Sequence, residues 1–299
     1  MRDLYRTFYM LGQVLDWSHD HVILSWPCLE FVITGVVGTG ERKKMSIGFE
    51  INNRLAVITI DRPEAMNALD MAHNAELDRI WAEFRDDDDL WVAILTGAGD
   101  KAFSAGADLK TLIPAQGDGV MDDWNFGGIT RNFTTYKPII AAINGVALAG
   151  GLEMVLACDL RVAADHVRLG LAEVKWAIIP GGGGTQRLPR SIPLARAMEM
   201  ILTGDPITAD EAYQLGLVNR VVPGVKLMDE ARALADTLLA RGPLALRAAK
   251  RAVLEGTSLP FSEAMSLELQ LFNSVMGTED AVEGPRAFAE KRAPNYQGR

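Results

Sequence analysis

The chain has 299 residues, 48% of them apolar and 23% charged, the ordinary balance of a globular protein with room for one large core or two smaller ones. Its 30 Lys and Arg against 39 Asp and Glu leave a net charge of -9. That sign excludes a general nucleic-acid binder, yet a few local cations still suffice to hold an anionic ligand.

Residues 21–38 are rich in Val, Ile, Trp and Phe, but Pro27 and Glu30 interrupt the run, so it predicts no membrane span. It also lacks the basic start and small-residue cleavage site of a secretory signal. The charged run Glu41-Arg42-Lys43-Lys44 precedes regular strand patterning, so the compact domain is expected to start near Met45, with residues 1–44 an appendage. Leu55–Ile60 reads as a β-branched strand that turns at Asp61-Arg62-Pro63. Residues 72–84 carry helical spacing, with Leu77, Ile80, Trp81 and Phe84 on one side. Residues 91–96 form a second strand, followed by a loop through Phe103-Ser104-Ala105-Gly106-Ala107-Asp108.

Residues 114–128 have no period and read as a mobile loop. Ile139–Ile143 is a third strand, and residues 146–151 lead into a helix over 152–157. Strands follow at 160–163 and 168–171, then a glycine run at 181–184 and a helix around 195–202. Beyond residue 222 the pattern is nearly continuous helix, at 227–240, 243–254, 260–276 and 279–291, with Gly or Pro stops between. Alternating strand and helix followed by a helical tail predicts an α/β core, and the tail's apolar stripes pack back onto it or build a subunit interface.

There is no phosphate loop, nucleophile elbow or dinucleotide fingerprint; alone, the 181–184 run reads as a tight turn. Two cysteines, Cys28 and Cys158, exclude a disulfide framework, and Cys158 reads as a small core residue. His19, His21, His73 and His166 have no metal-ligand spacing, so no metal is expected. Two backbone sites stand out. Ala105-Gly106-Ala107 follows a strand, where small residues admit a ligand to the main chain. Ala149-Gly150-Gly151 opens a helix, whose free N–H groups favour negative charge. Two such N–H groups on one oxygen would form an oxyanion hole; close packing of two turns is the plainer alternative. Glu153, in the first turn of that helix, could simply stabilise its dipole, and Glu173 could be a surface loop residue. Each is a lone acid among glycines and apolar side chains, a setting that raises a carboxyl pKa toward general acid–base use.

These segments resemble the crotonase (enoyl-CoA hydratase/isomerase) superfamily. Phe103-Ser104-Ala105-Gly106-Ala107-Asp108-Leu109-Lys110 is similar to its acyl-CoA-binding loop, and Asn144 through Glu153 to its second oxyanion segment. Glu173 through Leu188 resembles the segment with its second catalytic acid. Intervals of 43 residues from Ala107 to Gly150 and 20 from Glu153 to Glu173 separate the motifs, and the likeness runs from about Ile47 to the C-terminus.

The resemblance implies a spiral of repeated β-β-α units over residues 45–240 and a C-terminal helical trimerisation region over 241–299. It implies a homotrimer or dimer of trimers in the cytoplasm, acting in fatty-acid β-oxidation on an acyl-CoA thioester, with CoA as part of the substrate and no separate cofactor, nucleic acid or membrane. Carried over, the Ala107 and Gly150 N–H groups hold the thioester oxygen. Ala105, Ala107, Asp108, Leu109, Lys110 and Gly150 line the substrate site, Asp108 in a structural or loop-contact role, and Lys291 reaches CoA from a neighbouring subunit. Glu153 and Glu173 are the catalytic acids of an enoyl-CoA hydratase, a hydro-lyase, gripping one water whose oxygen adds to the β-carbon. The alternatives are a crotonobetainyl-CoA hydratase (carnitinyl-CoA dehydratase), which the stretch 279–285 also resembles, an enoyl-CoA isomerase, and a non-catalytic acyl-CoA-binding protein. No residue pattern sets the acyl chain length.

Overall fold

The computed structural model describes residues 23–26, 29–32, 46–111 and 125–299, in two units, Met1–Lys44 and Met45–Arg299. In the first unit β1 (Ile23–Trp26) pairs antiparallel with β2 (Leu29–Val32). His19, His21 and residues 114–124 of the expected mobile loop lie outside the described residues.

In the second unit two sheets grow side by side. A hairpin of β3 (Ile47–Asn52) and β4 (Leu55–Ile60) starts the larger one. Helix α1 (Met71–Asp86) follows, its N-terminus capped by the Asp70 carboxylate, which accepts from the His73 N–H at 3.0 Å. The chain then enters β5 (Val92–Gly97) of the first sheet and β6 (Ala102–Ser104) of the second. It repeats the step with β7 (Ile139–Ile143), β8 (Val146–Leu148) and helix α2 (Gly150–Ala157), and again with β9 (Leu160–Ala164) and β10 (Arg168–Gly170). Because β5, β7 and β9 pair in parallel and β6, β8 and β10 do likewise, each turn of chain adds one strand to each sheet. That is the repeated β-β-α spiral.

Helix α3 (Gly184–Ser191), α4 (Leu194–Thr203), β11 (Ile207–Thr208), α5 (Ala209–Gln214) and β12 (Arg220–Val222) complete the two sheets. Strands β5 and β7 are buried on both faces, and alternate residues serve different cores. Ala93, Leu95, Ala141 and Ile143 face the interior with Leu77, Ile80, Trp81 and Phe84 of α1. Val92, Ile94, Ile140 and Ala142 face Leu227, Ala231, Leu234 and Ala235 of helix α6 (Leu227–Leu239). Each fully buried large side chain contributes about 1.5–3 kcal/mol, so this sandwich fixes the strand ends that carry the site.

Beyond α6 come α7 (Pro243–Gly256), α8 (Phe261–Met276) and α9 (Glu279–Ala289). Helix α8 has no buried residue and exposes Phe261, Met265, Leu269, Phe272 and Met276. The last residues fold back on α9. Glu283 accepts from Arg292, Arg286 and the Asn295 amide, and Asp280 accepts from the Gln297 and Gly298 amides at 2.7 and 2.8 Å. Arg54, stacked 3.5 Å over the Trp91 ring, donates to the Tyr296 carbonyl. The tail therefore closes against the residues that lead into β4 and β5.

Some local expectations change. Residues 102–104, expected as loop, form a buried edge strand, and 146–148 form a strand before their helix. Residues 184–191 form a helix where only a turn is predicted, because Gly183 at φ +99° starts it and Pro189 sits inside it, both atypical signals. Residues 126–128 form a buried 3-10 turn, with Trp81 donating to the Gly127 carbonyl at 2.9 Å.

Candidate active site

The loop after β5 is held by two side-chain amides. Buried Asn67 donates to the Ala98 and Ala102 carbonyls, and Asn144 donates to those of Gly99 and Ala102 while accepting from the Gly97 N–H. Beyond β6, the Ala105 N–H donates to the Met66 carbonyl and the Gly106 N–H to the Ser104 hydroxyl. Ala107 then bridges Leu69 in parallel register. The bonds of that bridge run from the Leu69 N–H to the Gly106 carbonyl and from the Asp108 N–H to the Leu69 carbonyl. The Ala107 N–H takes no part in it.

The second backbone site meets the first. Gly106, at φ +91°, lies so close to the start of α2 that an added Cβ would sit 3.0 Å from the Gly150 nitrogen and 3.1 Å from the Leu148 carbonyl. Ala149 is anchored by its N–H on the Gly170 carbonyl at 2.9 Å and has φ 51° and ψ -125°, a conformation that costs on the order of 1–3 kcal/mol. Gly150, the first residue of the helix, has an N–H that the helix itself cannot use. Close packing operates too, since a Cβ at Gly150 would lie 2.5 Å from the Phe126 ring and one at Gly151 would lie 2.0 Å from the Ser104 carbonyl oxygen. The glycines serve both purposes.

The two acids are buried and differently supported. Glu153, 3% exposed, accepts from the Gly184 N–H at 2.8 Å. Burial raises its pKa, while the Gly184 and Gly182 amides and the charges of Arg187 and Arg131 pull it back. Glu173 lies in a 3-10 turn, Glu173–Trp176, and is 6% exposed, so the surface-loop alternative fails. Among the described residues neither of its carboxyl oxygens has a hydrogen-bond partner. Burial, helped by the Glu153 charge, pushes its pKa up to about 7. Burial thus raises both carboxyls, but only Glu153 has backbone amides from the 181–184 turn that favour its ionised form.

Arg187 lies within the family-like segment from Glu173 to Leu188 without a role read for it there, and Arg131 lies outside every motif. Arg187 donates to the Gly182 and Thr130 carbonyls at 3.0 and 2.9 Å, and Arg131 to the Gly181 carbonyl at 2.7 Å. The glycine run is a tight turn with a purpose, since a Cβ at Gly182 would lie 2.6 Å from the Glu153 carboxylate.

Of the other candidates, Ala105 and Leu109 are half-buried beside this loop, and Lys110 is exposed. Asp108 is committed to a 3.0 Å ion pair with Arg62, which ties the loop to residues 62–70. Lys291 follows α9 at the surface. A surface hollow lined by Pro63, Glu64, Asn67 and residues 98–102 contains neither Glu153 nor Glu173. Cys158 is buried, its thiol pushed up to about 12 by burial, and it donates to the Met154 carbonyl. His73 pairs with Asp70, and His166 lies against the Asp100 and Asn144 carbonyls. Among the described residues no group of three or more His, Cys, Asp or Glu could hold a metal, and no helix is long and apolar enough to cross a membrane.

Residues 50–299 match the family model described as Enoyl-CoA hydratase/isomerase. Over 255 residues the chain is 44% identical to (E)-benzylidenesuccinyl-CoA hydratase of Thauera aromatica, covering 85% of this chain and 100% of that protein. It is 45% identical to carnitinyl-CoA dehydratase of Escherichia coli K12, covering 83% and 97%. Among solved structures, enoyl-CoA hydratase of Mycobacterium tuberculosis H37Rv superposes with a TM-score of 0.80 at 41% identity, over 86% of this chain and 100% of that one. The chain belongs to the enoyl-CoA hydratase/isomerase family, the crotonase superfamily, and has its fold.

Proposed function

From that membership we propose that the protein adds water reversibly across the double bond of a 2-trans-enoyl-CoA, giving a 3-hydroxyacyl-CoA. The contrast between the two buried acids carries the reading: Glu153 bound by a backbone amide, Glu173 without a partner among the described residues and with a pKa of about 7. Such a pair can take and give a proton in one turnover. The Ala107 and Gly150 N–H groups hold the thioester oxygen, so that electron density drawn there leaves the β-carbon electrophilic. Glu153, ionised, takes a proton from the bound water as its oxygen bonds to the β-carbon. Glu173 gives its proton to the α-carbon, and proton exchange between the two carboxyls restores the starting state. Nothing is oxidised or reduced, so no redox cofactor is called for. Ala105 and residues 107–110 flank the thioester arm, with the exposed Lys110 ammonium available to a CoA phosphate. The exposed apolar side chains of α8 support assembly into a homotrimer or dimer of trimers.

The names of the relatives favour a second reading in which the acyl group is substituted, as in benzylidenesuccinyl- or carnitinyl-CoA. The chemistry at the glutamates is the same. One panel tests both: crotonyl-CoA, longer enoyl-CoA esters, crotonobetainyl-CoA and an aryl-substituted enoyl-CoA, each followed by loss of conjugated-thioester absorbance. Turnover is expected, with Glu153→Gln and Glu173→Gln each reducing it about 10²–10⁴-fold. Full activity in both variants would sink the two-acid mechanism. Binding of the esters without turnover of any would establish an acyl-CoA-binding protein instead.

A further inference from the structure

The Glu153 carboxylate is served by the 181–184 turn, about thirty residues further along the chain, and that turn is braced by two arginines. Arg187, on α3, spans the Gly182 and Thr130 carbonyls with its two terminal nitrogens, at 3.0 and 2.9 Å. Its seat exists because Gly183, at φ +99°, has no Cβ; one there would lie 2.2 Å from Nη1. Arg131 holds the neighbouring Gly181 carbonyl. We propose that Arg187, assisted by Arg131, is a positioning residue for the reaction: it fixes the 181–184 turn so that the amides of the turn bind the Glu153 carboxylate. The inference rests on the hydratase reading for its consequence in catalysis, though not for its effect on Glu153.

The charges facing Glu153 are Arg187 from α3, Arg131 from the segment after the 126–128 turn, and the Glu173 carboxyl from its own turn. The two cations and the amides favour the carboxylate, whereas burial and Glu173 oppose it. Arg187 is itself part-buried and makes both of these bonds to carbonyls, so its fork spans a gap that a lysine ammonium cannot.

The experiment compares wild type with Arg187→Gln and Arg187→Lys by the pH dependence of turnover and by carbon-13 NMR titration of the Glu153 carboxyl. Losing the fork is expected to raise the Glu153 pKa, moving the acidic limb of kcat upward by about one pH unit while KM stays near wild type. Arg187→Lys, which keeps the charge without the fork, should give a smaller displacement of the same sign. A uniform loss of kcat at every pH, with the limb and the Glu153 titration unmoved, would overturn the proposal. If wild type turns over no enoyl-CoA, the hydratase reading fails, and the NMR titration still decides this one. If Arg187→Gln does not fold, Arg131→Gln, at an exposed position, must give a smaller shift of the same sign; no shift there refutes the bracing.

Discussion

Replacing Glu173 by Gln should stabilise the fold above neutral pH while sharply reducing turnover. The ordinary glutamate pKa is 4.5, and burial pushes that of Glu173 up to about 7. Below pH 4.5 the side chain is protonated in folded and unfolded chains alike and exerts no penalty. As pH rises from 4.5 to 7 the unfolded chain ionises first and binds fewer protons, so stability falls; above 7 the loss is complete. The distance from 4.5 to about 7, at about 1.36 kcal/mol for each pH unit, amounts to roughly 3 kcal/mol. The glutamine amide is neutral throughout and escapes this loss. Melting curves of both proteins at pH 4.5 and pH 8 measure the effect. The variant's advantage at pH 8 over its advantage at pH 4.5 should be on the order of 6–12 °C, at about 2–4 °C per kcal/mol for a domain of this size. The same gap at both pH values would refute the claim that Glu173 is held against its ionisation.

Two further outcomes follow from the backbone and the tail. Ala107→Pro deletes the N–H that the bridge to Leu69 does not use, so turnover should fall by about 10²–10³-fold, or 2.7–4 kcal/mol, with little change in melting temperature; unchanged kcat would remove Ala107 from the oxyanion site. Glu283→Ala strips Arg292, Arg286 and the Asn295 amide of their shared acceptor. Limited proteolysis should then release the last residues faster than in wild type, and equal rates would show that the other tail contacts suffice.

The regular elements were legible where periodicity was strong. Leu77, Ile80, Trp81 and Phe84 lie on the buried face that their spacing predicts, and Leu55–Ile60 and Ile139–Ile143 are strands as read. Short strands such as Ala102–Ser104 escaped because three residues show no period, and their pairing partners lie over 40 residues away. The motifs located the two acids, but not the difference between them. That difference depends on the Gly184 N–H, which is 31 residues from Glu153, and on Glu173 having no partner among the described residues. Arg187 and Arg131 bind main-chain carbonyls, and a carbonyl has no side chain to mark it in the sequence. The nearest thing to a cue is the run of four glycines leading into an arginine-bearing helix, since the room those glycines leave is where the Arg187 guanidinium and the Glu153 carboxylate sit.

Helix α2 carries the Gly150 N–H and the Glu153 carboxylate three residues apart, on one rigid turn whose pitch is about 5.4 Å. In the proposed reaction that turn acts as a ruler laid along the substrate, with one mark at the thioester oxygen and the other at the water that attacks the β-carbon. A longer or bulkier acyl tail changes nothing between the marks. A double bond moved one carbon further from the thioester falls off the scale. On the proposed reaction the helix would separate two kinds of selectivity: position of unsaturation set by a backbone that side-chain substitution can hardly adjust, and the identity of the acyl group left to residues elsewhere, free to diverge without disturbing the chemistry.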